Sequence, residues 1–146
     1  MRRPRDFQRQ RVYDAEREVE DFDRNAPMSI HETRAFVRKI TRSRWWRNRV
    51  HRFYWSVLVK DGRGRRNGGG TPDGYITMPR WSRTPMVICH ELAHVAAPRN
   101  KAGHGRAYCG WYLALVRRFV SEEAYLQLRD AFKRNGVKTA GMPKPL

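Results

Sequence analysis

Residues 84–95 of this chain set a condition that any fold must meet. Thr84-Pro85 reads as an N-cap followed by a proline at the first helical position, opening a helix through Met86–Val95. Ile88, Leu92 and Val95 make that helix apolar and destined for the interior, yet it also carries His90, Glu91 and His94. Polar groups taken out of water need partners. Residues four apart on a helix differ by about 40° around the axis and by one turn along it, so both imidazoles leave from one face and can grip one ion. Glu91 is turned about 80° from their mean direction. It stands beside such an ion without ligating it, where a carboxylate can take a proton from coordinated water.

The third ligand is expected downstream, where His104, flanked by Gly103 and Gly105, is the only remaining histidine. Three histidines with a fourth position open describe a catalytic zinc site, whereas structural sites are closed by a fourth protein ligand. Cys109 falls about 140° from His104 around a helix axis and Cys89 about 120° from the histidine pair, so neither thiol is expected at the ion. Two cysteines are too few for a disulfide scaffold or a four-cysteine zinc ribbon, and both read as buried, reduced thiols. His31 and His51 lack partners at ligand spacing.

The rest of the chain reads as a scaffold. Arg9–Phe22 is open between a helix and, through Arg11-Val12-Tyr13, a short strand. Ser29 and Glu32 fit a capping box for a helix over Ile30–Thr41. Phe53–Val59 and Tyr75–Met78 read as two strands of a hairpin, separated by a basic Gly/Arg-rich loop over residues 62–73. Helices are expected over His104–Val120 and, capped by Ser121, over Glu122–Arg134, with Asn135-Gly136 as the stop. Residues 1–8 and 140–146 are expected to be flexible. At 146 residues the chain suits a single domain, and 40% hydrophobic residues with five Trp are enough for one core.

Charge narrows the partners. A net +17 favours polyanions, although residues 14–23 run the other way, with Asp14, Glu16, Glu18, Glu20, Asp21 and Asp23 against Arg17 alone. Trp45-Trp46 lie among Arg42, Arg44, Arg47 and Arg49; both tryptophans read mainly as core-edge packing, with stacking on nucleic-acid bases as the alternative. Arg44, Arg47, Arg63, Arg65 and Arg66 are the candidate contacts to DNA or another polyanion. No apolar run is long enough for a membrane span and no signal-peptide core follows Met1, so the expected compartment is the cytoplasm, with no membrane partner.

Cys89-His90-Glu91-Leu92-Ala93-His94 followed by His104-Gly105-Arg106-Ala107-Tyr108 resembles the zincin metallopeptidases in their SprT/Spartan-like form. The wider pattern, from Arg11-Val12-Tyr13-Asp14-Ala15-Glu16 through Ser43-Arg44-Trp45-Trp46 and Pro79-Arg80-Trp81, is similar to a family of small metallohydrolases of actinobacteria and their phages. The resemblance implies an α+β, zincin-like single domain with a small twisted sheet against the His-Glu-x-x-His helix. It implies one zinc ion on His90, His94 and His104, and Glu91 as general base. The sheet edge is expected to flank the zinc cleft.

The expected activity is zinc-dependent hydrolysis of a peptide bond in a protein or peptide substrate, with one of Arg106, Tyr108 or Tyr112 as a donor to the oxyanion. Three alternatives stand beside it: a basic nucleic-acid-binding protein with a mainly structural metal, a protease acting on DNA-bound proteins, and an interaction module built on the metalloenzyme fold.

Overall fold

Val12, Ala15 and Glu16 form the buried side of the first helix, α1 (Arg9–Glu16). The computed structural model describes residues 5–20, 22, 26–63, 69–70, 73–98 and 102–146. The 9–22 segment is thus helical in its first half. Ser29 opens α2 (Ile30–Thr41) with both halves of a capping box, its hydroxyl accepting from the Glu32 N–H at 3.0 Å while Glu32 Oε1 accepts from the Ser29 N–H at 3.1 Å. An N-cap of this kind is worth about 1 kcal/mol. One further turn, α3 (Arg44–Arg47), sinks Trp46 fully into the core, where its indole N–H donates to the Tyr54 carbonyl at 2.9 Å. Trp45 lies edge-on to Trp111 and Phe119, so both tryptophans pack.

Phe53–Val59 departs from the expected strand. His51 Nδ1 accepts from the Phe53 N–H at 3.1 Å and the Tyr54 N–H donates to the His51 carbonyl at 2.8 Å. With Trp46 holding the Tyr54 carbonyl, these bonds wind Arg52–Trp55 into a 3₁₀ turn against its β-rich composition. The strand itself is confined to β1 (Leu58–Lys60). Beyond it come β2 (Gly69–Gly70) and β3 (Tyr75–Thr77), in the sheet order β1-β3-β2. The expected hairpin is corrected too: β1 runs parallel to β3, with Val59 opposite Ile76, and the antiparallel neighbour of β3 is β2. Parallel neighbours need a crossover of about a dozen residues, which the stretch between Lys60 and Tyr75 can span.

Thr84 caps α4 (Pro85–Ala96), its hydroxyl accepting from the Val87 N–H at 3.4 Å and donating to the Phe22 carbonyl at 3.2 Å. Nine of the twelve residues of α4 are buried, as expected of a helix enclosed on all sides. It packs against α2, β2, β3 and α5 (Arg106–Phe119); α5 packs on α6 (Glu122–Arg134), and α6 on α1. This chain of contacts returns the first helix to the last. Ser121 caps α6, accepting from the Ala124 N–H at 3.0 Å, and Gly136 supplies the left-handed residue after it, at φ +69°.

Residues 5–8 and 140–146, the described parts of the two ends expected to be flexible, carry long-range hydrogen bonds, and residues 1–4 lie outside the described residues. The Ala140 N–H donates to the Arg106 carbonyl at 3.0 Å, Arg49 Nε to the Pro143 carbonyl at 3.0 Å, and the Leu146 N–H to the Asn48 carbonyl at 2.9 Å. The tail crosses α5 so closely that a Cβ on Gly110 would lie 2.8 Å from the Gly141 carbonyl oxygen. At the other end, the Gln8 side chain donates to the carbonyls of His104, at 3.0 Å, and Lys138, at 3.1 Å. The architecture is a helix-rich α+β arrangement with a small sheet, and no described helix is long and apolar enough to cross a membrane.

Candidate metal centre

α4 presents His90 and His94 one turn apart, and the turn before α5 brings His104 to meet them. One ring nitrogen from each lies within 4.8 Å of the other two, so the three sequence-predicted ligands converge and can hold a metal ion. The ring centroids are 4.6 Å apart for His94 and His104, 5.2 Å for His90 and His94, and 5.5 Å for His90 and His104. Glu91 sits beside them, with Oε1 3.7 Å from His90 Nε2.

Two of the three imidazoles are held from behind by carboxylates that the sequence analysis did not single out. Glu16 Oε2 lies 2.9 Å from His90 Nδ1 and also accepts from the Tyr112 hydroxyl at 2.8 Å. Asp6 Oδ2 lies 2.7 Å from His104 Nδ1, and Asp6 Oδ1 accepts from the His104 N–H at 3.2 Å. A carboxylate on Nδ1 keeps the proton there, turns the Nε2 lone pair toward the ion and makes it more basic. Glu16 carried a usable signal: it falls on the Val12-Ala15 face of the first helix, a charge at an apolar position. Asp6 carried none.

The donor set fits a metal. His104 Nε2 and Glu91 Oε2 are buried without a hydrogen-bond partner, and leaving such groups unpaired costs about 1–3 kcal/mol each. An ion on the imidazole nitrogens and a water beside the carboxylate would satisfy both. The electrostatics are those of an enclosed site. Burial pushes the Glu91 carboxyl up to about 7, with His90 opposing and Glu16 adding to the shift. Burial alone would lower His90, but the charge and hydrogen bond of Glu16, helped by Glu91, leave it raised. His104 is lowered, chiefly by burial, with Asp6 opposing.

Two of the expected oxyanion donors have their hydroxyls engaged within the protein. The Tyr108 hydroxyl donates to the His90 carbonyl at 3.0 Å, its ring stacked on His94 at 4.3 Å, and the Tyr112 hydroxyl is spent on Glu16. Both serve the backs of the ligands, and burial raises both phenols well above their ordinary range. Arg106 is exposed at the start of α5. Cys89 and Cys109 are buried free thiols outside the histidine cluster, and Cys109, pushed up to about 12 mainly by burial, donates to the His104 carbonyl at 3.6 Å.

A cleft of about 470 Å³ opens onto His90 and Glu91, lined also by Arg9, Tyr13, Arg17, Phe22, Trp81 and Val87. Trp81, 53% exposed, is shared with a groove of about 760 Å³ that includes Arg63, Arg80 and Arg83. Of the candidate nucleic-acid contacts, Arg63 therefore lies in the neighbouring groove, 3.9 Å from Asp61. Arg44 and Arg47 belong to α3, Arg47 with its guanidinium over Trp55; Arg65 and Arg66 lie outside the described residues. Comparison with protein-family models, curated proteins and solved structures found no match.

Proposed function

We propose that the protein is a zinc-dependent hydrolase of the zincin type that cleaves peptide bonds, with His90, His94 and His104 as metal ligands and Glu91 as general base. The observation that carries this reading is the pairing of three convergent imidazoles with a buried, unpartnered Glu91 oxygen. A closed structural site has no use for such a carboxylate. When bound, zinc would polarise a carbonyl and bring the pKa of a coordinated water from 15.7 to about 7.

The chain's own residues supply the remaining functions. Glu16 and Asp6 fix the orientation of two ligands before any ion arrives. Glu91, with its carboxyl raised to about 7 by burial, is poised to take a proton from water near neutral pH and return it to the leaving amine. Phe22, Val87 and Trp81 wall the cleft with apolar surface, and the groove beyond Trp81 gives room for an extended chain. At the edge of the sheet β2 packs on α4, the helix that carries His90, Glu91 and His94.

The test is Glu91→Gln. Elemental analysis of both proteins should find about one zinc per chain, while hydrolysis of an unfolded fluorogenic protein substrate disappears in the variant. His94→Ala should lose the zinc. Unaltered hydrolysis by Glu91→Gln would sink the mechanism.

A further inference from the structure

The hydrolysis needs a hydrogen-bond donor for the carbonyl oxygen as it gains charge, and neither Tyr108 nor Tyr112 is free to be one. The cleft offers another phenol. Tyr13, on α1, lies with its ring centroid 5.9 Å from that of His90, nearly stacked at 26°, and 5.2 Å from that of His104, edge-on at 76°. It is half-buried and lines the cleft together with Glu91. None of the hydrogen bonds among the described residues uses its hydroxyl, and that oxygen is not among the buried, unpartnered atoms.

We infer that Tyr13 is a catalytic residue, its hydroxyl donating a hydrogen bond to the substrate carbonyl oxygen; this rests on the hydrolase reading above. Its place on α1 is what qualifies it. Glu16, one turn further along the same helix, holds His90, and Asp6, just before the helix, holds His104. The segment that orients the ligands therefore also fixes the donor against them, the preorganisation that makes such donors effective. Arg9, also one turn away, lays its guanidinium 5.7 Å from the Tyr13 ring centroid and adds positive charge on that side of the cleft. In the reaction the water oxygen bonds to the carbonyl carbon, the carbon–nitrogen bond breaks, and the water proton travels through Glu91 to the amine. Tyr13 keeps its own proton throughout.

The experiment reads binding as well as turnover. Full-length protein is loaded with cobalt in place of zinc, and its visible spectrum is titrated with acetohydroxamate, which presents an anionic oxygen beside the metal, and with 2-mercaptoethanol, which presents sulfur alone. In Tyr13→Phe, which keeps the ring against both imidazoles, hydroxamate affinity should fall about tenfold or more. Cobalt and thiol affinities should stay within about threefold, and turnover should fall by about 10²–10³, the loss typical of a deleted oxyanion donor. Unchanged hydroxamate binding with intact cobalt binding overturns the role of Tyr13 and leaves the metal reading standing. Loss of cobalt itself in Tyr13→Phe makes the residue a packing group and also overturns it. If Arg9→Gln, and not Tyr13→Phe, weakens the hydroxamate, the donor is Arg9. Failure of the unmodified protein to bind cobalt overturns the hydrolase reading and this inference together.

Discussion

Glu16 and His90 stand 74 residues apart in the chain and meet at 2.9 Å, carboxylate oxygen to Nδ1, inside the core. The contact costs the desolvation of a carboxylate, and the Tyr112 hydroxyl at 2.8 Å repays part of that by giving the same oxygen a second donor. What it secures is the direction of His90 Nε2.

Glu16→Gln should therefore weaken zinc binding by about 10–100-fold, the usual effect of removing a carboxylate behind a ligating histidine. Competition with a chromophoric chelator measures it, and circular dichroism checks that the fold is retained. Tyr112→Phe, which leaves the carboxylate in place, should cost less than Glu16→Gln. Equal zinc affinity in Glu16→Gln and the unmodified protein would mean that the contact serves packing alone.

Asp6 stands behind His104 in the same way, holding both its ring and its backbone N–H. Deleting residues 1–8 removes Asp6 and the Gln8 amide that holds the His104 carbonyl. The shortened chain should lose zinc affinity by at least as much as Asp6→Asn, about 10–100-fold, in the same chelator assay. A shortened chain that binds zinc normally would show that His104 is held well enough by the turn before α5.

These two carboxylates mark the boundary of what could be read along the chain. Caps are local, so Ser29 with Glu32, Thr84 with Pro85, and Ser121 all announce the helices they start. The His90-Glu91-x-x-His94 spacing is local too, and His104 follows as the one histidine left downstream. Phe53–Trp55 misled because its β-forming side chains are overruled by a cap from His51, a residue type that seldom announces one, and by the Trp46 indole bonding the Tyr54 carbonyl. The parallel pairing of β1 with β3 depends on the path between them, which composition does not encode. Asp6 reaches His104 across 98 positions, and no periodicity spans that distance.

In the metal-free protein, Glu91 should make stability fall as pH rises. Its folded carboxyl is raised to about 7 from an ordinary 4.5, so the folded state holds a proton that the unfolded chain has released. The contribution is fully present below about pH 4.5 and is lost as pH climbs through about 7, a change on the order of 3 kcal/mol. His90, also raised, acts in the same direction from its ordinary 6.5 upward, and His104, lowered, acts in the opposite one. Urea unfolding of chelator-treated protein at pH 5 and pH 8 isolates the carboxylate when compared with Glu91→Gln, whose stability should fall less over that interval. Parallel pH profiles for the two proteins would contradict the raised carboxyl.

The tail crossing at Gly110 gives a prediction whose sign depends on what lies opposite. A Cβ at that position would stand 2.8 Å from the Gly141 oxygen and 3.2 Å from the Ala140 oxygen, both backbone atoms that cannot swing aside like a flexible side chain. Gly110→Ala should destabilise the full chain by about 1–3 kcal/mol through overpacking. In a chain ending at residue 139 those oxygens are gone, and only helix propensity remains, where alanine is better than glycine by about 0.8–1 kcal/mol. The same substitution should then be neutral or stabilising. Urea unfolding of the four proteins closes the cycle, and an equal effect of Gly110→Ala in both backgrounds would show that the tail does not press on α5 in solution.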